Sequence, residues 1–331
     1  MNQLKTSYKP LALMCLFALS MNANAAKVDT KVKYIGADYG TSYDYTGYKA
    51  EVTMSPNDSN WYYLVDAREY NHKSGADYTR FGFGVGHKFL ISGGYIQPEF
   101  VLRSEKNDYG VKASDGSRGN VVETDYKVLE TMYQYEFIEW GKLAGKFKLI
   151  HSVTDEISGS GIKKTYERYI NELEPALRLH PFKPFDTFKK TSLENLTVNL
   201  IYYSIDNTNT NGGVGGGGTY DLDGTIHNRQ FRAEVTYKNG PFTITPYTRL
   251  PLVWAEGAMY YNSNNLVDGN SERYKLTRLG VKGAYAINKK LSIIGEFYSE
   301  DKEFKEGYQH DLSRSPESNT KVVELGIHYK F

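Results

Sequence analysis

Apolar and polar residues trade places at every second position along most of this chain. In VVELGIHYKF, residues 322–331, Val323, Leu325, Ile327, Tyr329 and Phe331 share one side, and Glu324, His328 and Lys330 share the other. The same beat returns at Tyr48, Ala50, Val52 and Met54, at Trp61, Tyr63, Val65 and Ala67, and at Phe81, Phe83 and Val85. It continues at Leu129 to Phe137, Leu173 to Leu179, Leu196 to Tyr202, Phe231 to Tyr237, Leu279 to Tyr285 and Ile293 to Phe297. Side chains that alternate between two faces are the mark of a strand. About fourteen such segments can be counted, each near the roughly 9–11 residues that a tilted membrane-crossing strand needs.

The connections sort by length. Short turns are expected at Ser55-Pro56-Asn57-Asp58, Ser92-Gly93-Gly94, Glu139 to Lys142, Asn239-Gly240 and Asn288-Lys289-Lys290. Asn-Gly is a strong signal for a tight hairpin turn. Long polar connections are expected around 104–121, 154–165, 206–228, 255–272 and 300–319. Short turns at one end and long loops at the other suit a transmembrane barrel. One stretch, HPFKPFDTFKKTSL at 180–193, falls where a short turn is due. It reads as a longer periplasmic connection or as an error in the strand count.

The start, MNQLKTSYKPLALMCLFALSMNANAAKVD, has Lys5 and Lys9, an apolar run from Leu11 to Met21, and Ala23-Asn24-Ala25. That is the layout of a cleaved export signal, so residues 1–25 are expected to be removed and 26–331 to form the barrel. Lipidation at Cys15 is the lesser alternative, because Met14 precedes it and the apolar run continues past it. Cys15 is the single cysteine, so the exported chain is expected to hold no thiol, which excludes disulfides and cysteine catalysis. Loss of Lys5 and Lys9 leaves 38 of the 40 basic residues against 39 acidic ones, a net charge of −1. Such a balance offers no field for nucleic acid. Aromatic content is 14%, with 29 tyrosines, a residue suited to boundaries that are dry on one side and wet on the other. A soluble β-rich periplasmic or secreted protein would fit the export signal too, but it has no reason to sort its loops by length.

The expected fold is therefore all-β: a single antiparallel up-and-down transmembrane β-barrel of about fourteen strands, with short periplasmic turns and long extracellular loops, in a bacterial outer membrane. The C-terminal strand ending on Phe331 is expected to close the cylinder against the first, and it resembles the signal read by barrel-insertion machinery.

ITPYTRL at 244–250, RLGVKGAYAINKKLSIIGEFY at 278–298 and the closing GIHYKF resemble the last hairpins of the OmpG-like monomeric porins, which are related to cyclodextrin and oligogalacturonate channels. The resemblance covers roughly the last quarter of the chain. It implies a monomeric fourteen-stranded channel. Acid gating in that family uses facing histidines; here Tyr274 stands at the position aligned with one of them, so that property is not carried over.

The polar faces carry both signs. Arg68, Arg80, Arg103, Arg178, Arg232, Arg249, Arg278 and Lys282 are expected to point inward, with Glu51, Asp66, Glu99, Glu130, Glu174, Glu234 and Glu296. So many charges require water, because burial without partners is too costly. Lumen-facing Tyr62, Tyr247 and Tyr298 are candidates for stacking on sugar rings, or for the interfacial girdles. Mixed signs favour neutral or weakly selective traffic over an acidic-sugar path. The expected function is a porin for passive diffusion of small hydrophilic solutes, including neutral oligosaccharides, with lipid and lipopolysaccharide around it and no cofactor or metal. The alternatives are a dedicated oligosaccharide channel, and a plugged barrel acting as an enzyme or adhesin. The loop NGGVGGGGTYDLDGT at 211–225 lacks the Gly-Lys-Ser/Thr of a phosphate loop and the closing Glu of a calcium loop. His151-Ser152 is the one adjacent pair that suggests hydrolysis, without the surroundings of a barrel lipase.

Overall fold

The computed structural model describes residues 26–38, 44–110, 119–189, 191–210, 214–215, 218–219, 225–259, 271–304 and 317–330. The export-signal reading of 1–25, Phe331 and much of the loops 206–228, 255–272 and 300–319 lie outside the described residues.

Fourteen long strands follow one another around a closed antiparallel barrel. They are β1 (Ala26–Asp38), β2 (Tyr45–Pro56), β3 (Trp61–His72), β4 (Asp77–His87), β5 (Gly94–Asp108), β6 (Val121–Ile138) and β7 (Gly141–Ile157). The second half is β8 (Lys163–Leu179), β9 (Thr197–Thr210), β10 (Thr225–Asn239), β11 (Phe242–Pro251), β12 (Ser271–Ala286), β13 (Leu291–Phe304) and β14 (Glu317–Lys330). Two short pieces extend this wall: Phe89–Ile91 beyond β4, paired with β5, and Ala255–Met259 beyond β11, paired with β12. Each strand pairs with the next, and β14 returns to β1 in register from Asp29↔Lys330 to Asp38↔Lys321. Closure leaves no unpaired edge, which a sheet needs in hydrocarbon.

The apolar beat of the sequence faces outward. Leu325 is 60% exposed, Leu279 59% and Phe242 61%, and Phe81, Phe83, Phe100, Leu129, Phe147 and Ile293 are exposed with them. This is the reverse of a soluble fold, and a bilayer removes the cost of it. Small residues on the same surface are covered by larger neighbours, as where Ala50, Val52 and Ala67 pack with Val28, Val32, Met54 and Val65. Aromatic rings gather near the short turns: Phe242 against Tyr285 at 4.8 Å and Trp61 against His87 at 4.7 Å. Tyr34 and Tyr48, 5.4 Å apart, mark the opposite half of β1 and β2.

Tight turns form where the sequence places them. Gly240 has φ 55° and Gly93 has φ 78°, left-handed conformations that glycine adopts without strain. The expectation for 154–165 needs correction: β7 runs to Ile157 and β8 starts at Lys163, so strand fills most of the stretch. Likewise β5 continues to Asp108, inside the expected loop 104–121. These extensions are polar on both faces, so no hydropathy beat announces them. Cross-strand hydroxyls hold them instead, with Thr124 and Thr154 3.0 Å apart and Thr165 donating to Asp155 at 2.6 Å. Sorting by loop length is also incomplete, since β3 and β4 are joined at the loop end by 73–76 alone.

The stretch 180–193 is a strap at the turn end, and the strand count is unaffected by it. It forms two 3-10 turns, Asp186–Phe188 and Ser192–Asn195. The backbone N–H of His180 donates to the Trp140 carbonyl at 2.8 Å, and Lys183 Nζ donates to the Glu139 carbonyl at 2.9 Å. Phe182 and Phe188 stack edge to face at 4.8 Å. The strap thus leans on the neighbouring hairpin turn.

Candidate functional site

The interior begins with the period of two. Once Leu325, Leu279 and Phe231 face out, their neighbours in sequence must face in. Register then decides which inward residues meet. Every lumen candidate singled out in the sequence occupies an inward position, and most of them join ion-pair clusters.

The first cluster spans β1 to β6. Asp66, with 9% of its side chain exposed, lies between Arg80 (Nε to Oδ2 2.8 Å) and Arg103 (Nε to Oδ1 3.9 Å). The Asp66–Arg80 contact is an ion pair without the alignment of a hydrogen bond. Arg80 also approaches Glu105 at 3.6 Å, and Glu105 accepts the Tyr126 hydroxyl at 3.1 Å. Gly82 leaves room for the Asp66 carboxylate, because a β-carbon there would collide with it. At the closure seam, Glu324 accepts from Lys33 at 2.8 Å and from Lys49.

The second cluster crosses β6 to β10. Lys148 bonds Glu130 at 2.8 Å and nears Glu172 at 3.9 Å; Lys146 meets Glu174 at 3.1 Å; Arg232 reaches Glu174 at 3.3 Å while stacked 3.4 Å over the Tyr203 ring. Arg178 donates to Asn199 at 3.0 Å and Gln134 at 3.3 Å.

The third occupies β10 to β13. Lys282 donates to Glu234 at 2.7 Å, Tyr247 donates to Glu296 at 2.6 Å, and Arg278 Nε donates to Glu300 at 2.7 Å. Arg278 also lies 4.0 Å from the centre of the Tyr298 ring, and Arg249 lies 5.9 Å from that of Tyr247. Tyr62 and Tyr247 lie over Gly86 and Gly280, their cross-strand partners, whose missing side chains make room for the rings.

Lys33, Lys49, Glu105, Lys146, Lys148, Glu172 and Glu300 complete these clusters and were absent from the candidates. Period two would have found Lys33, Lys49, Lys146, Lys148 and Glu172, which alternate with outward apolar residues, whereas Glu105 and Glu300 have polar neighbours on both sides and give no such signal. The register places His151 and Ser152 on opposite faces of β7. Ser152 is 1% exposed, and His151 stacks on outward Tyr169 at 4.8 Å. Among the described residues no group of three or more His, Cys, Asp or Glu is arranged to hold a metal ion.

Outside the wall, the Asp44 carboxylate hydrogen-bonded to Lys73 raises the lysine pKa at the loop end. In the strap, Lys189 lowers the pKa of Asp186. His180 is lowered, first by burial and then by Lys142, Lys183 and Arg178.

No protein-family model matches the chain, and no curated protein matches it in sequence. Solved barrels do match in shape. CymD, a monoaromatic hydrocarbon channel, superposes with TM-score 0.52 at 8% identity, over 93% of this chain and 88% of that one. The Pseudomonas putida toluene transporter TodX gives 0.49 at 8% identity, over 94% and 90%. The translocator domain of the autotransporter NalP from Neisseria meningitidis gives 0.46 at 8% identity, over 97% and 96%. The likeness to CymD bears on the fold alone. Closed strands, a lipid-facing apolar belt and a charged interior together define a multi-pass β-barrel of the bacterial outer membrane.

Proposed function

We propose that the barrel is a water-filled channel through which small hydrophilic solutes diffuse, neutral oligosaccharides among them. The observation that carries this reading is the inner wall. Around most of its circumference it is tiled with ionised side chains that remain partly exposed, such as Lys148 at 21%, Arg103 at 23% and Lys282 at 40%. Side chains of this kind are stable where solvent reaches them. Arg68, Arg80, Arg103, Glu130, Arg178, Arg232, Glu234, Tyr247, Arg249, Arg278, Lys282, Glu296 and Tyr298 would line the water path, their charges biasing which solute passes. The chain would act as a monomer, in keeping with the porins that its C-terminal hairpins resemble.

Single-channel recording in planar bilayers tests the proposal. Ohmic steps that added maltooligosaccharide leaves unblocked support a general pore. Block at micromolar sugar points to the dedicated channel instead. Absence of conductance from folded protein overturns both and favours a plugged barrel.

A further inference from the structure

Register sets like charges side by side across the wall. On β1 to β4, Lys33 faces Lys49, Lys49 faces Arg68, and Arg68 faces Arg80. On β10 to β12, Arg232 faces Arg249, and Arg249 faces Arg278. Like charges directly opposite destabilise a sheet unless counter-charge is supplied. Most of these cations receive it: Lys33 and Lys49 from Glu324, Arg80 from Asp66, Arg232 from Glu174 and Arg278 from Glu300.

The middle of each row is left over. Among the described residues, neither Arg68 nor Arg249 forms an ion pair with a carboxylate. Arg68 has the Tyr70 side chain beside it, and Arg249 has the ring of Tyr247 at 5.9 Å. Arg68 opens on a cavity of about 420 Å³ that Lys33 and Lys49 share. Its acidic members are engaged, Glu51 with Lys31 at 3.1 Å, Asp66 with Arg80, and Glu296 as acceptor of the Tyr247 hydroxyl. Tyr45, Tyr70 and Tyr78 stack beside it, ring centres 4.9 and 5.2 Å apart. Arg249 has Tyr203, Tyr247 and Tyr298 around its row. Both arginines stand eighth in their strands, counted from Trp61 and Phe242 at the turn end. β3 and β11 lie on nearly opposite sides of the ring.

We propose that Arg68 and Arg249 are two oxyanion-binding stations at one level of the channel, selecting solutes that bear a carboxylate or a phosphate. This rests on the channel reading and replaces its preference for neutral solutes with one for anionic solutes. The planar guanidinium fork matches both groups, and each row keeps an excess of positive charge, since Lys33 and Lys49 share the single carboxylate of Glu324 and the two arginines have none. The passing anion supplies the counter-charge that the wall lacks.

The test is reversal potential across a potassium chloride gradient, followed by titration with inorganic phosphate and, separately, succinate. Anion preference and block by at least one of the two are expected, and the one that blocks identifies the preferred headgroup. Arg68→Gln with Arg249→Gln should reduce the chloride-to-potassium permeability ratio about five-fold, the scale of one close charge interaction in water. Arg68→Lys with Arg249→Lys should keep the permeability ratio but weaken the block, because the fork is lost. A cation-selective or unselective wild type overturns the proposal, as does equal block of wild type and the glutamine variant. Both outcomes leave conductance intact and the channel reading standing. Absence of any conductance sinks the two together.

Discussion

Glu324 joins both ends of the chain of strands, and its neutralisation is the sharpest stability test. Its carboxylate is 8% exposed and takes charged hydrogen bonds from Lys33, 18% exposed, and Lys49, 26% exposed. Glu324→Gln keeps the shape and removes the charge. Lys33 and Lys49, directly opposed across β1 and β2, are then left to repel each other. Removing one partner of a buried pair costs about 3–5 kcal/mol. Because both lysines retain contact with solvent, about 2–3 kcal/mol is expected here. Urea unfolding of detergent-folded protein, followed by tryptophan fluorescence, should show the midpoint lowered by about 1 M for a slope near 2–3 kcal/mol/M. The cycle with Lys49→Gln should give a coupling of about 1 kcal/mol or more, with the double variant recovering part of the loss. A Glu324→Gln midpoint equal to that of wild type would refute the idea that this carboxylate fastens the seam.

Gly280→Ala puts a methyl group into the Tyr247 ring and should cost about 1–3 kcal/mol, whereas Gly283→Ala, with nothing within 4 Å, should be close to neutral in the same urea assay. Equal effects at the two glycines would contradict the ring-over-glycine packing. Leu325→Lys, on the lipid face at a residue 60% exposed, should lose about 2–4 kcal/mol of folding stability in lipid vesicles if it lies near the bilayer midplane. An unperturbed refolding yield and stability would place β14 the other way round. His180 is lowered in the folded state, so the unfolded chain binds the proton more readily. Stability of the strap should accordingly be full above the unfolded value of 6.5 and fall as pH drops through it. Hydrogen exchange over 180–196 should accelerate at pH 5 relative to pH 7.5, and His180→Gln should abolish the difference; faster exchange at the higher pH, after correction for intrinsic rates, would reverse the sign.

What the sequence makes legible is whatever one environment imposes on one strand. Leu279, Val281 and Tyr285 alternate with Arg278 and Lys282 because lipid touches one side and water the other, so face and strand number follow from the pattern. Where water touches both sides, as from Val121 to Asp125 and from Val153 to Ile157, the pattern vanishes while the ladder continues. The interior's electrostatics is hidden for a different reason. Read along β3, Asp66 and Arg68 alternate in sign, and the wall looks balanced. Read across the hydrogen bonds, Arg68 stands beside Lys49 and Arg80, and that row is positive, while Glu99 beside Glu130 makes another row negative. A neighbour across the sheet is fixed by strand register, and a shift of two residues would keep every side chain on its face yet give Arg68 different partners. The hydropathy pattern selects the face and is indifferent to that shift. The field that a solute meets therefore depends on the register that closes the barrel from Asp29↔Lys330 to Asp38↔Lys321, and on the turns at Gly93 and Gly240 that hold individual hairpins in step.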